Sequence, residues 1–128
     1  MKNPEISIIV CTYNGEKLIK TCLDSIPKQN FKNFEIICVD GGSRDKTKEI
    51  IKEYIKRERK IKLIINEKRL PEGKGYGKWL GYKHARGKIF GIIDQDNIIQ
   101  RKDLFLKVVE IFKKNKNLAG ILGGVKYD

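Results

Sequence analysis

Three observations predict an α/β fold with a mainly parallel sheet and helices on both faces. Four short runs are almost continuously apolar, helix-patterned stretches separate them, and polar, acid-bearing loops follow three of the four. Unbroken runs of β-branched residues fit strands covered on both faces. Strands alternating with helices imply parallel pairing through crossover connections.

The first run is Ile6-Ser7-Ile8-Ile9-Val10-Cys11. From Lys17 to Ser25, helical spacing gathers Leu18, Ile19, Cys22 and Leu23 with Ile26 on one side, and Pro27 then ends or bends the helix. Phe34-Glu35-Ile36-Ile37-Cys38-Val39 repeats the strand pattern. The stretch from Lys46 to Arg59 groups Ile50, Ile51, Tyr54 and Ile55 on one face. Its other face sets Glu53 four residues before Arg57, a pairing that suits a solvated helix. Ile61 to Ile65 is a third strand. Gly77 to Ala85 is read as a glycine-rich helix, and Ile89 to Ile93 as a fourth strand. Lys102 to Lys113 is expected to bury Leu104, Phe105, Val108, Val109 and Phe112 in helical register. Leu118 to Leu122 is a weaker fifth strand. No repeat, linker or low-complexity segment interrupts the pattern, so residues 1–128 are expected to form one domain.

Composition narrows the function classes. Apolar residues are 40% of the chain, enough for a core, and charged residues are 34%. The net charge of +12 favours anionic partners. That charge is scattered rather than gathered into a tail, which argues against a dedicated nucleic-acid arm. Cys11, Cys22 and Cys38 are odd in number and lack paired spacing, so no disulfide framework is expected. Without a CxxC, and with His84 as the one histidine, a zinc site is not expected. No apolar run approaches the roughly 18 residues of a spanning helix. The N-terminus lacks the apolar core of a signal peptide, which predicts a cytoplasmic protein.

Ligands of open parallel sheets bind beyond the carboxyl ends of the strands. Thr12-Tyr13-Asn14-Gly15-Glu16 follows the first run, Asp40-Gly41-Gly42-Ser43-Arg44-Asp45 the second, and Asp94-Gln95-Asp96-Asn97 the fourth. Ser43 and Asp45 also suit plain turn and cap roles, and Asp94 and Asp96 an ordinary turn. Together the three loops converge on one sheet edge. Two aspartates flanking one residue suit a hard divalent cation, Mg2+ or Mn2+, when a diphosphate supplies the remaining oxygens. Between Pro71 and Trp79, glycines and lysines read as a loop able to approach phosphates. Lys78 stands where a dinucleotide fingerprint needs its last glycine, so that motif is rejected. Tyr76, Trp79 and Tyr82 are expected to pack rather than to stack on a base.

Ser7 to Asn14, Leu23-Asp24-Ser25-Ile26 and Val39-Asp40-Gly41-Gly42-Ser43-Arg44-Asp45-Lys46-Thr47 resemble the opening of glycosyltransferase family 2. The likeness continues through Gly73 to Gly81 and from Ala85-Arg86-Gly87 to Asp94-Gln95-Asp96, covering about residues 4–125. It implies a GT-A fold, a Rossmann-like sheet that binds a nucleoside-diphosphate sugar of UDP or GDP type. By that resemblance Thr12, Tyr13 and Glu16 line the nucleoside and Asp40 binds the base, with Asp45 nearby. Lys78 faces the nucleotide, Asp94 approaches the ribose and the metal, and Asp96 is the principal metal ligand. Transfer in the family inverts the anomeric centre as a carboxylate deprotonates the acceptor hydroxyl. Trp79 departs from the usual small polar residue. No catalytic base is assigned, and the acceptor-binding part that family members carry is expected to be missing.

Three other readings stand beside it. One is a non-catalytic nucleotide-sugar-binding module, or a split enzyme half that needs a partner chain or a second copy. Another is a basic nucleic-acid-binding protein, and the last a phosphatase with Asp94 as nucleophile. The amphipathic stretch from Lys102 to Lys116 could also rest on the inner membrane surface, near a lipid-linked or glycan acceptor.

Overall fold

The computed structural model describes residues 3–66, 73–121 and 123. Its elements run β1 (Ile6–Thr12), α1 (Ile19–Ser25), a short 3-10 turn (Ile26–Lys28), β2 (Phe34–Asp40), α2 (Thr47–Arg57), β3 (Ile61–Ile65), α3 (Gly73–His84), β4 (Ile89–Asp94) and α4 (Leu104–Lys114). The four strands form one parallel sheet in the order β3-β2-β1-β4. The chain reverses its direction of travel across the sheet between β1 and β4, and such switch points open a crevice at the strands' carboxyl ends.

Strand alternation feeds two cores. Ile6, Ile8, Val10, Phe34, Ile36 and Cys38 meet α1, α2 and α4 through Leu23, Ile51, Tyr54, Phe105 and Val109. On the other face Ile9, Ile37 and Val39 meet Leu80 of α3. β1 and β2 are thus covered twice, which is why both read as unbroken apolar runs. Phe105 anchors α4 with its ring edge-on to Phe34 at a centroid distance of 5.1 Å.

Several expectations are corrected. The described residues of Leu118 to Leu122, 118–121, form no strand, and Leu122 lies outside the description. The glycines after residue 72 open α3 instead of a loop, while Pro71 and Glu72 lie outside the described residues. Gly77 and Gly81 serve packing, whereas Gly75 faces open space. A Cβ on Gly81 would lie 2.6 Å from Ile9 Cγ2, and one on Gly77 would lie 3.5 Å from Cys11 Sγ, so these glycines seat the helix close to the sheet. Glu53 pairs with Lys56 at 3.0 Å, and Arg57 instead lies over the Tyr54 ring. Leu104, expected to be buried, instead lies on the exposed side of α4, where only Phe105 and Val109 are buried. Tyr76, Trp79 and Tyr82 pack at the surface: Tyr76 stacks on Trp79, and Tyr82 stands edge-on to Phe90.

At the amino end of the sheet, Glu35 is buried and fully occupied. Its carboxylate accepts from Ser7 Oγ at 2.7 Å and Arg86 N–H at 2.8 Å, and pairs with Lys62 and the Arg86 guanidinium. Burial alone would raise this carboxyl. The Arg86 N–H, the Ser7 hydroxyl and Lys62 outweigh it and hold the group below the usual range.

Candidate active site

The loops after β1 and β2 form one hydrogen-bonded frame. Asn14 N–H donates to Ser43 Oγ at 2.9 Å, and Gly15 N–H to Thr47 Oγ1 at 2.8 Å. Arg44 N–H returns to Asn14 Oδ1 at 2.9 Å, while Lys46 N–H reaches Glu16 Oε2 at 3.2 Å. Asn14 adopts a positive φ of 46°, a conformation asparagine tolerates better than most residues. A shallow depression of about 420 Å3, lined by Asn14, Gly15, Glu16, Lys17, Leu18 and Asp45, opens beside the frame. Neither Asp94 nor Asp96 lines it.

Asp40 is the centre of that frame and is fully buried. Oδ2 accepts the Gly42 and Ser43 N–H groups at 3.0 and 2.8 Å, and Oδ1 accepts the Thr12 and Ser43 hydroxyls at 3.0 and 2.5 Å. In this arrangement both oxygens hold the loop, and contact with a nucleobase requires residues 41–43 to open. Asp45 accepts the Thr47 and Glu16 N–H groups at 3.0 and 3.1 Å, together with the Thr47 hydroxyl. Desolvation would raise its carboxyl, but these donors hold it below the ordinary carboxylate range. It therefore braces the start of α2. Thr12 is buried against Asp40, whereas Tyr13 and Glu16 are exposed.

The third loop adjoins through strand register. Cys11 is the β1 partner of Asp94, and Thr12 the β1 partner of Asp40. Burial raises the Cys11 thiol; Lys78 lowers it and Asp94 raises it, so the α3 lysine and the β4 aspartate both stand near this sulfur. Burial likewise lifts Cys22 to about 12, with Asp96 and Asp94 adding to it. The two aspartates are thus neighbours over Cys22, whose Sγ lies 3.6 Å from the Asp94 carbonyl oxygen. Both are exposed, on a turn closed by Asn97 N–H to Asp94 O at 2.9 Å and Asp94 N–H to Asn97 Oδ1 at 2.9 Å.

The donor set fits a hard divalent cation: two solvent-facing carboxylates at a strand end, with soft ligands buried below them. Among the described residues, no three His, Cys, Asp or Glu gather as a cage. Such a cation would need oxygens from a ligand, as diphosphate-bound Mg2+ and Mn2+ do. Residues 12–16, 40–45 and 94–97 and Lys78 therefore surround one edge. Gln95 and Asn97 also belong to the site. Only their place between and after the aspartates hinted at this.

The family model described as Glycosyl transferase family 2 matches residues 7–127. The chain belongs to glycosyl transferase family 2. Within the family, it is 39% identical over 106 residues to an uncharacterized glycosyltransferase of Methanocaldococcus jannaschii, covering 81% of this chain and 36% of that protein. The structure of S. aureus TarS 1-349 in complex with UDP-GlcNAc is similar at a TM-score of 0.79 and 30% identity, over 88% of this chain and 32% of that one. The mannosyltransferase PcManGT of Pyrobaculum calidifontis, in complex with GDP-Man and Mn2+, matches at 0.78 and 27%, over 87% and 33%. The chain spans about a third of the length of the curated family relatives it matches. Among the described residues, no helix is long and apolar enough to cross a membrane.

Proposed function

We propose that this chain forms the donor-binding part of an inverting, metal-dependent sugar transferase that uses a nucleoside-diphosphate sugar. One observation carries the reading: strand register places the loops after β1, β2 and β4 on a single edge, with exposed Asp94 and Asp96 beside the Asn14–Ser43 frame. Tyr13 and Glu16 offer exposed surface to the nucleoside, and Thr12 and Asp45 hold that surface in shape. Asp40 acts on the base side through the loop it fixes, reaching the base itself only if residues 41–43 open. Lys78 adds positive charge toward the phosphates. Asp96, with Asp94, holds Mg2+ or Mn2+. Bound there, the metal supplies charge that offsets the negative charge growing on the departing diphosphate.

Transfer is proposed as a single displacement by an acceptor hydroxyl whose proton passes to a carboxylate. None of the site's described carboxylates is assigned that task. Asp40 and Asp45 are committed to the loop frame, and Asp94 and Asp96 to the metal. A second reading, donor binding without transfer, draws on the one-third coverage of the relatives.

Calorimetric titration of UDP and GDP, with and without Mn2+, on wild type and Asp96→Ala tests the site. Mn2+-dependent binding of one nucleotide that disappears in Asp96→Ala supports it, and absence of binding by either nucleotide overturns it. Release of free nucleotide from the sugar donor then separates turnover from binding alone.

A further inference from the structure

Gln95 stands between the two aspartates, and its amide reaches across to the first loop. Oε1 accepts the Tyr13 N–H at 3.0 Å, and Nε2 donates to the Tyr13 carbonyl at 3.2 Å. One primary amide thereby meets both backbone groups of one residue, as a neighbouring strand would. Gly15 leaves room for it. A Cβ on residue 15 would lie 2.2 Å from Gln95 Oε1 and 2.7 Å from its Cδ. A side chain on Gly15 and the amide in this position cannot coexist.

The turn that carries Gln95 is closed on itself by the two Asp94–Asn97 hydrogen bonds. It therefore moves as a unit, and the amide ties that unit to Tyr13. The first loop is in turn fastened to the second by Asn14 and Gly15. The β1–β4 ladder joins the two loops at their roots, where Cys11 pairs with Asp94, and the Gln95 amide adds a direct tie from the turn to Tyr13 beyond the end of that ladder.

We propose that Gln95 is a positioning residue that couples the acidic turn to the nucleoside-side loop, so that a cation held by Asp94 and Asp96 stiffens residues 13–15. By linkage, a ligand that orders residues 13–15 tightens the cation in return. The inference rests on the metal-site reading above, and its test separates the two.

The test is hydrogen exchange on the full chain in inorganic pyrophosphate, which supplies the oxygens the cation needs, with and without Mn2+, read at residues 13–15 and 94–97. Wild type, Gln95→Ala, Gly15→Ala and Asp96→Ala are compared. Without metal, Gln95→Ala and Gly15→Ala each speed exchange at the Tyr13 amide about tenfold, the weight of one ordinary hydrogen bond. With Mn2+, wild type slows at both segments. In Gln95→Ala and Gly15→Ala the slowing persists at 94–97 and vanishes at 13–15. Gly15→Ala leaves every acidic residue and Gln95 itself in the chain, so it controls for loss of the side chain.

A merely structural amide predicts faster exchange with an unchanged Mn2+ effect at 13–15 in both variants, which overturns the coupling. Mn2+ slowing at 94–97 but not at 13–15 in wild type also overturns it and leaves the metal site standing. Mn2+ slowing at neither segment, or slowing that survives Asp96→Ala, removes the metal site and the coupling with it.

Discussion

Alanine at two glycines of α3 should move stability in opposite directions. Gly75 has nothing within 4 Å of where a Cβ would stand, so Gly75→Ala gains only helix propensity, about 1 kcal/mol. Gly81→Ala gains the same propensity but drives its methyl to 2.6 Å from Ile9 Cγ2 and 3.2 Å from Val39 Cγ2. Ile9 is buried between β2 and β4 in mid-sheet and cannot swing aside. Overpacking of this kind costs about 1–3 kcal/mol. The net for Gly81→Ala is then roughly zero to 2 kcal/mol destabilising, with the two alanines separated by about 1–3 kcal/mol. Urea unfolding followed by circular dichroism measures both, with an unchanged urea slope confirming that only stability moved. Equal shifts of the same sign would refute the view that α3 is glycine-rich because it must lie close to the sheet. Lys78 rides on the same helix, so Gly81→Ala should also weaken nucleotide binding while Gly75→Ala leaves it intact.

Asp40→Ala strands two hydroxyls and two N–H groups around a buried site and should destabilise by about 3 kcal/mol, read by urea unfolding. Glu35 carries the acid sensitivity of the amino end. Its folded carboxyl lies below its unfolded value, so its stabilisation is complete above the unfolded value and fades as pH falls through the folded one. Glu35→Gln should therefore lower the urea midpoint at neutral pH and flatten the decline below about pH 4.5. On α4, Leu104, Lys107, Ile111 and Lys114 fall on one exposed stripe, which should hold anionic vesicles at low salt and release them as salt rises. Indifference of the protein to such vesicles would remove the membrane-surface reading.

The fold was legible where burial leaves a mark on composition. β1 and β2 lie between two helical layers, and Ile6 to Val10 and Ile36 to Val39 announce it. Leu118 to Ile121 is as apolar but pairs with no strand in the described structure, and apolarity cannot tell a strand from an exposed segment. The start of α3 was hidden because Gly73, Gly75 and Gly77 read as loop by propensity. Gly77 answers to the sheet, meeting Cys11 and Val39, residues dozens of positions away, while Gly75 faces open space. The acidic turn was legible as two carboxylates after a strand. Asp40 was legible as a carboxylate following a strand but not as a buried brace, because that depends on Thr12 arriving beside it. Gln95 was silent. An amide advertises nothing until its partner, Tyr13, 82 positions earlier, is brought within reach.

The strand order also sets a sequence of assembly. β1 meets β2 after 28 residues but meets β4 only after 83. On an emerging chain, β1, β2 and β3 can pair and the Asn14–Ser43 frame can close while β4 is still being made. The acidic turn then docks onto an edge already shaped, and α4, made after it, closes over the sheet by setting Phe105 against Phe34.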